Sequence, residues 1–254
     1  MVTVATIVAP ANARASCDGT AVTSGTRTIA VDDLMRSFIV RAPASADGRT
    51  PLPVVFAFHP FGTDARYMAS RVPVSSSWRD AIVVYPNGTP RPGSGPGFAW
   101  QGRAGDIEDR DLRFFDAMLA WLATNGCIDE RRVFVLGYSN GAGLAYLIAC
   151  ERSDRIAAVA IVSGRMGCAP NRAKPAIISH GVADATIGYA QAVEAAGMWA
   201  AKNACQGPPA PARSAGCVAA SGCAAPVTLC THPGGHEYDA SFTPTAVEFF
   251  TMIR

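Results

Sequence analysis

The 254-residue chain lacks several features that mark common classes of protein. No apolar stretch reaches the roughly 18 residues that a membrane-spanning helix needs, so the sequence predicts no membrane partner. Charged residues make up only 17% of the chain, the formal net charge is +2, and the Lys and Arg residues are scattered. This balance disfavours nucleic acid or an anionic surface as the main partner. No internal repeat is present.

Metal-binding patterns are also absent. The chain has no Cys-x-x-Cys pair, and its four histidines are not spaced with its eight cysteines as zinc ligands would be. We therefore expect no metal and no cofactor. An even number of dispersed cysteines favours up to four disulfides in an oxidising compartment, with several buried free thiols as the alternative. The sequence thus predicts a secreted, extracellular protein, with a truncated signal segment over residues 1–16 and one domain over residues 17–254.

Short apolar runs alternate with helical patterns along the chain. This alternation predicts an α/β fold with a mostly parallel central sheet and helices on both faces. Strands are expected over residues 26–31, 37–42, 54–59, 82–85, 133–136, 157–162, 176–180 and 227–231, the first two forming an antiparallel hairpin. Helices are expected over residues 112–122, 141–150, 190–204 and 245–253. The segment 207–225 is rich in Pro and Gly and contains two cysteines, which favours a disulfide-held surface loop.

The strongest local signal is the motif Gly-Tyr-Ser-Asn-Gly over residues 137–141. An apolar strand leads into the motif, and a helix rich in Ala and Leu follows it. A nucleophile on a sharp strand-to-helix turn needs small neighbours, because the flanking backbone segments approach closely. We therefore predict that Ser139 is the nucleophile of an α/β-hydrolase fold. A simple Gly-Ser turn is the alternative.

A serine hydroxyl needs a base, and the base needs an acid to orient it. In this architecture the acid and then the histidine follow the serine along the chain. His236 lies on a glycine-rich loop after the last predicted strand and is the expected base, whereas His232 is expected to be structural. Asp184 is the expected acid, with a helix-capping role as its alternative and Asp239 as a weaker rival. Activity should then rise with pH around 6 to 7, where an ordinary imidazole loses its proton.

Ester hydrolysis also needs donors for the negatively charged oxygen of the intermediate. One expected donor is the backbone N–H of Asn140, directly after the nucleophile. The other comes from the loop after the strand over residues 54–59. Because Pro60 has no N–H, Phe61 is the expected donor in that loop. His59 is expected to fix the loop rather than to act as a second base.

Together these motifs resemble those of carbohydrate esterase family 1, particularly the fungal feruloyl esterases, and of the related polyhydroxybutyrate depolymerase-like proteins. The likeness runs from about Cys17 to the C-terminus and is carried by residues 36–43, 58–62, 85–88, 111–114, 137–141, 180–184 and 234–236. It implies a catalytic triad of Ser139, Asp184 and His236. It also suggests that His59 and Trp100 contact substrate, a buried Trp100 that braces its loop being the alternative.

The resemblance further implies the disulfides Cys17–Cys127 and Cys150–Cys168. Cys205–Cys223 and Cys217–Cys230 are the preferred pairing of the remaining four cysteines, and other pairings stay open. Two departures from the family pattern are visible. Glu237-Tyr238-Asp239 follow the histidine where many relatives have an aromatic-Pro pair, and the oxyanion loop has Pro60 where relatives often have Gly. Neither departure changes a residue of the predicted triad.

The resemblance implies a serine carboxylesterase whose partner is an ester substrate, most simply a feruloyl or hydroxycinnamoyl ester of a plant polysaccharide. A polyhydroxybutyrate depolymerase and an acetyl xylan esterase are alternatives that use the same residues. A serine peptidase is a further alternative, although the chain has little room for a lid or domain that selects peptides. A non-catalytic, carbohydrate-binding protein of the same fold is the alternative from a different class. The sequence does not specify the oligomeric state.

Overall fold

The structure is a computed structural model that describes residues 17–90 and 97–253. The predicted signal segment over residues 1–16 lies outside the described residues. None of the helices in the described part of the chain has both the length and the apolar character of a membrane span.

Twelve strands, six α-helices and one short 3-10 helix (Asp106–Asp109) make up the regular structure of the described residues. The strands are β1 (Gly25–Val31), β2 (Leu34–Arg41), β3 (Leu52–Phe58), β4 (Ile82–Pro86), β5 (Thr89–Pro90), β6 (Phe98–Ala99), β7 (Ile128–Tyr138), β8 (Ala158–Val162), β9 (Ala176–Gly181), β10 (Gly207–Pro211), β11 (Cys217–Ser221) and β12 (Val227–His232). The helices are α1 (Ala65–Arg71), α2 (Val74–Ser77), α3 (Arg110–Asn125), α4 (Asn140–Glu151), α5 (Ala190–Lys202) and α6 (Phe242–Thr251).

Ten of these strands form one sheet in the order β1-β2-β4-β3-β7-β8-β9-β12-β11-β10. The six strands from β4 to β12 are parallel, and an antiparallel pair closes each edge. The mostly parallel sheet predicted from the sequence is therefore confirmed, as are the eight predicted strands and the opening hairpin. Parallel strands end at the same edge of a sheet, so the loops after β3, β7, β9 and β12 come together there.

Helices cover both faces of the sheet, as predicted. One face packs against α3, α4 and α5, and the other against α1, α2 and α6. Strand β3 shows how a buried strand serves both faces, because Val54 and Phe56 belong to one cluster and Val55 and Ala57 to the other. All seven residues of β3 are buried. A continuous apolar run is what a strand buried on both faces requires.

The expectation of a surface loop over residues 207–225 is wrong. This segment forms β10 and β11, an antiparallel hairpin that extends the sheet beyond β12. Its proline-rich sequence is typical of a loop. An edge strand nevertheless tolerates proline, because one side of its backbone has no partner strand. The disulfide Cys217–Cys230 joins directly opposed residues of β11 and β12. The cysteines therefore hold a strand pair rather than a loop.

All eight cysteines are paired in four disulfides. The pairs are Cys17–Cys127, Cys150–Cys168, Cys205–Cys223 and Cys217–Cys230, so the preferred connectivity agrees with the structure. The alternative of buried free thiols is excluded in this structure, because no cysteine is free.

Candidate active site

Ser139 occupies the sharp turn between β7 and α4. Its backbone has φ 54° and ψ −117°, a conformation that a residue other than glycine adopts only where the surroundings impose it. Two glycines make the turn possible. A Cβ on Gly137 would lie 2.2 Å from Gly141 O, and a Cβ on Gly141 would lie 2.3 Å from Phe58 O. The motif therefore reflects backbone contact on both sides of the serine.

The structure brings Ser139, His236 and Asp184 together in one chain of hydrogen bonds. His236 Nε2 lies 2.8 Å from Ser139 Oγ, and His236 Nδ1 lies 2.7 Å from Asp184 Oδ2. Along the chain, Ser139 lies 97 residues before His236, and Asp184 lies 52 residues before it. An ionised carboxylate only accepts hydrogen bonds. Nδ1 therefore carries the ring proton, and Nε2 of the neutral ring accepts the serine hydroxyl.

The carboxylate of Asp184 has no solvent-exposed side-chain surface. Burial alone raises its pKa, but hydrogen bonds from the N–H of Ile187, from His236 and from the N–H of Thr186 outweigh burial and hold the pKa below its ordinary value. Oδ1 accepts the two backbone N–H groups at 2.8 Å each, which leaves Oδ2 for the imidazole. Asp184 thus caps a local turn and faces His236 at the same time.

The loop that carries His236 is tied to the strand ends beneath it. The hydroxyl of Tyr138, at the end of β7, donates to His236 O at 3.0 Å. A Cβ on Gly181 would lie 2.3 Å from the carbonyl oxygens of both Gly234 and Gly235. The absence of a side chain at Gly181 therefore lets the histidine loop pack directly on the loop of the acid. The N–H of Ala183 donates to Gly234 O in the same contact.

Tyr138 is a site residue that the sequence interpretation does not single out. It is the first of the two variable residues of the Gly-x-Ser-x-Gly motif, and the motif itself requires no particular side chain there. Burial raises the pKa of its hydroxyl to about 12, so the group keeps its proton and remains a donor at neutral pH. Only the fold reveals its acceptor, because His236 lies 98 residues further along the chain.

Asp239, the rival acid, and His232, the other histidine near the C-terminus, do not take part in the hydrogen bonds that link Ser139, His236 and Asp184. Asp239 Oδ1 accepts the backbone N–H of Ser241 at 2.9 Å, which is a local turn contact. His232 Nδ1 lies 3.9 Å from Glu237 Oε1, and the ring is largely buried. In the part of the chain that the structure describes, no group of three or more His, Cys, Asp or Glu residues is arranged to hold a metal ion.

The predicted oxyanion donors lie on segments that touch each other. Among the described residues, the backbone N–H groups of Phe61 and Asn140 have no hydrogen-bond acceptor. The start of α4 packs against the end of β3, because Gly141 contacts the carbonyl oxygens of Phe58 and His59. Gly62 (φ 76°) donates its N–H to Phe98 O and fixes the loop after Phe61. Two N–H donors without acceptors on adjoining segments would suit a negatively charged oxygen, and their role as oxyanion donors stays a prediction.

His59 and Trp100 hold this loop through buried side chains. His59 is fully buried, its Nε2 accepts the N–H of Gly88 at 3.0 Å, and its Nδ1 donates to Pro60 O at 2.8 Å. Burial lowers its pKa to about 4. Trp100 is 4% exposed, and its indole N–H donates to His59 O at 2.9 Å. The burial and hydrogen bonds of Trp100 favour the bracing alternative, and substrate contact by His59 and Trp100 stays a prediction.

The sheet order, the strand-to-helix turn and the Ser139–His236–Asp184 arrangement define a protein of the α/β-hydrolase fold. The prolyl oligopeptidase family of peptidases matches residues 67–169. That part includes Ser139 but neither Asp184 nor His236. The family match therefore covers the nucleophile turn and less than half of the chain.

Two relatives that match most of this chain are named feruloyl esterases. Feruloyl esterase C of Emericella nidulans is 27% identical over 237 residues, which cover 85% of this chain and 83% of the relative. Feruloyl esterase D of Neurospora crassa is 26% identical over 197 residues, which cover 71% of this chain and 64% of the relative. The resemblance to feruloyl esterases inferred from the sequence motifs is confirmed. Neither these two relatives nor the solved structures described next are named as polyhydroxybutyrate depolymerases.

Solved structures agree on the fold. Acetyl xylan esterase from Aspergillus awamori superposes with a TM-score of 0.71 at 15% identity and covers 89% of this chain and 99% of its own. A ferulic acid esterase of carbohydrate esterase family 1 from Anaeromyces mucronatus, in complex with ferulic acid, superposes with a TM-score of 0.61 at 14% identity. It covers 91% of this chain and 90% of its own. The predicted α/β-hydrolase fold is therefore confirmed.

Proposed function

We propose that the protein is a secreted serine carboxylesterase that hydrolyses feruloyl or related hydroxycinnamoyl esters of plant polysaccharides. The observation that carries this proposal is the hydrogen-bonded chain from Ser139 through His236 to Asp184 at the strand-to-helix turn. The relatives named feruloyl esterases support the choice of ester. Exposed apolar side chains on two loops of the site, Phe61 and Val182, are suited to an aromatic acyl group.

The geometry supports acyl transfer in two steps. Ser139 Oγ attacks the ester carbonyl carbon while its proton passes to His236 Nε2. The N–H groups of Phe61 and Asn140 bind the negatively charged carbonyl oxygen, and Asp184 stabilises the protonated imidazole. The C–O bond to the alcohol then breaks, and the alcohol oxygen takes the proton from His236.

Water completes the reaction. It attacks the acyl-serine ester while His236 accepts one of its protons, and the same imidazole returns that proton to Ser139 Oγ as the acid leaves. One water is consumed, and one carboxylic acid and one alcohol are released. The serine and the imidazole end the cycle in their starting states.

The four disulfides support an oxidising location, because such bonds persist outside the reducing cytosol. The proposal of secretion rests on these disulfides. Detection of the enzyme in the culture medium, with all four bridges intact by mass spectrometry, is the expected result. Retention in the cytosol with free thiols would contradict secretion.

The decisive variant is Ser139→Ala, measured with methyl ferulate. We expect a loss of kcat greater than about a thousandfold, because the remaining groups only bind and polarise the ester. Ser70→Ala, which removes an exposed hydroxyl on α1, is the matched control and should keep the parent rate. A Ser139→Ala variant as fast as the parent would exclude the serine mechanism and favour the non-catalytic alternative.

A substrate panel tests the proposed ester. Methyl ferulate should give a higher kcat/KM than acetylated xylan, hydroxybutyrate oligomers or casein. A higher kcat/KM for acetylated xylan or hydroxybutyrate oligomers would overturn the feruloyl assignment and leave the serine mechanism in place. Cleavage of casein in preference to all three esters would overturn the esterase assignment itself.

A further inference from the structure

His236 is attached to the rest of the site at two points. Its ring is held through Nδ1, which lies 2.7 Å from Asp184 Oδ2. Its backbone is held through the carbonyl oxygen, which accepts the hydroxyl of Tyr138 at 3.0 Å. In the part of the chain that the structure describes, no other hydrogen bond reaches the backbone N–H or C=O of His236. The backbone of the base therefore depends on one tyrosine hydroxyl.

This hydroxyl extends from the middle of the sheet. Tyr138 is the last residue of β7 and lies opposite Val162 of β8, and β3 pairs with β7 on its other side. The next residue, Ser139, donates its N–H to Val162 O at 2.9 Å. The nucleophile and the donor that holds the base are thus adjacent residues of one segment with a partner strand on each side.

The ring of Tyr138 is packed on two sides. Its centroid lies 5.8 Å from that of the His236 imidazole, with 32° between the planes, and 5.8 Å from that of Tyr238, which it meets edge-on. Only 7% of Tyr138 is exposed. A tyrosine side chain has two torsions, and packing of the ring restricts both. The hydroxyl is therefore held in place before it binds the carbonyl of His236.

The hydroxyl bond bears on the distance that matters for proton transfer. His236 Nε2 lies 2.8 Å from Ser139 Oγ. Without the hydroxyl, Asp184 would still orient the ring, but the backbone of the loop over residues 233–237 could move relative to β7. A small displacement of the base lengthens the Nε2–Oγ distance, and proton transfer is sensitive to displacements well below 1 Å.

We propose that Tyr138 is a positioning residue, whose hydroxyl fixes the backbone of His236 relative to Ser139 and so keeps the base within reach of the nucleophile. Its hydroxyl binds neither the substrate nor the reacting atoms and gives up no proton during turnover. This proposal rests on the proposed function of Ser139, His236 and Asp184.

Tyr138→Phe removes the hydroxyl and keeps the packed ring. We expect kcat for methyl ferulate to fall on the order of tenfold, with KM changed less than about twofold, because the base is displaced while the surface that binds the ester stays the same. Circular dichroism, with the assay well below the unfolding temperature, establishes that the variant is folded. An unchanged kcat in folded Tyr138→Phe would overturn the proposal.

Two other tyrosines supply matched controls. Tyr85→Phe removes a buried hydroxyl that also donates to a carbonyl, that of Val72 at 2.9 Å. Tyr238→Phe removes a hydroxyl two residues after the base, which binds Thr243 Oγ1 at 3.0 Å. Both should lower the free energy of unfolding as Tyr138→Phe does and keep kcat within about twofold of the parent. A fall of kcat in Tyr238→Phe equal to that in Tyr138→Phe would overturn the proposal, because general loosening of the segment would then be responsible.

Phenylmethanesulfonyl fluoride tests the same geometry without an ester. Ser139 Oγ forms a bond to its sulfur, the S–F bond breaks, fluoride leaves, and His236 Nε2 takes the serine proton. The mass of the intact protein reports the rate of labelling. The rate constant should fall on the order of tenfold in Tyr138→Phe and stay within about twofold of the parent in Tyr85→Phe. Equal labelling rates for the parent and Tyr138→Phe would overturn the proposal.

The labelling experiment also separates this proposal from the choice of substrate. A parent enzyme that is labelled at Ser139 but hydrolyses none of the esters would refute the ester assignment, and the labelling rates would still decide the role of Tyr138. A parent enzyme that is not labelled at Ser139 would refute the serine mechanism, and the proposal for Tyr138 would fail with it.

Discussion

The side chain of Asn140 binds both backbone polar groups of Trp100. Its Oδ1 accepts the N–H of Trp100 at 2.8 Å, and its Nδ2 donates to Trp100 O at 3.3 Å. The indole of Trp100 in turn binds His59 O in the oxyanion loop. The residue after the nucleophile is therefore connected, through one tryptophan, to the loop that carries the second proposed oxyanion donor.

This connection predicts a catalytic effect of a side chain that does no chemistry. In Asn140→Ala the backbone N–H remains, but the loop of Trp100 and Phe61 loses its link to α4. We expect kcat to fall on the order of tenfold with little change in KM. Asn125→Ala removes a comparable amide-to-backbone bond at the end of α3 and should leave kcat unchanged. Equal rates for both variants and the parent would contradict the prediction.

Asp184 and Asp239 offer a direct comparison of the two candidate acids. In Asp184→Asn an amide replaces the carboxylate that fixes the tautomer of His236, and we expect kcat to fall by about a thousandfold or more. In Asp239→Asn only a local turn contact changes, and we expect a rate within about twofold of the parent. Circular dichroism of both variants confirms that they are folded. The reverse order of the two rates would assign the acid to Asp239.

The glycines of the nucleophile turn differ sharply in the room around them. Gly141→Ala would place a methyl group 2.3 Å from Phe58 O and 2.5 Å from His59 O, so it should abolish activity or prevent folding. Gly143, two residues further along α4, has only Arg165 O within 4 Å, at 3.8 Å. Gly143→Ala should keep activity and raise the free energy of unfolding by up to about 1 kcal/mol. Similar behaviour of the two variants would argue against the close contact at Gly141.

The lowered pKa of the buried His59 predicts that the free energy of unfolding depends on pH. The folded protein keeps this histidine neutral down to about pH 4, whereas the unfolded chain protonates it near the ordinary value of 6.5. The unfolded state therefore binds more protons between these values. The free energy of unfolding should fall as the pH is lowered from 6.5 to 4, by roughly 3 kcal/mol from this residue.

Denaturant unfolding at a series of pH values, with the disulfides intact, measures this effect. His59→Gln is less stable at pH 7, because it loses contacts to Gly88 and Pro60, but it has no imidazole to titrate. The free energy of unfolding of this variant should therefore change less steeply with pH over the same range. The difference in slope should correspond to at most one proton taken up on unfolding. Identical slopes for the variant and the parent would show that His59 is not the group responsible.

Much of the fold could be predicted because the local hydrophobic pattern of each segment matches its burial in the folded protein. The strand over residues 54–59 is a continuous apolar run, and a strand buried on both faces needs such a run. The strand before Ser139 and the helix after it distinguish this pentapeptide from a chance match. The order of serine, acid and histidine could be inferred from the α/β-hydrolase architecture, in which parallel strands bring the loops that carry them to one edge of the sheet.

The rest depends on contacts between residues far apart in the chain. Strand β10 has the sequence Gly-Pro-Pro-Ala-Pro, and only the presence of β11 beside it makes it a strand. The hydroxyl of Tyr138 finds its acceptor, His236 O, 98 residues away through tertiary packing. Helix α1 had a local signal, since Asp64 caps it by accepting the N–H of Tyr67, but its short apolar pattern was too weak to indicate a helix.

The prolines of β10 also govern how molecules meet in a concentrated solution. This strand forms one outer edge of the ten-stranded sheet, and three of its five residues are proline. A strand from a second molecule would need N–H donors to extend the sheet there, and only Gly207 and Ala210 have them. The prolines therefore block the pairing of β10 with a strand of a second molecule. This protects the protein from fibrous aggregation through that edge of the sheet.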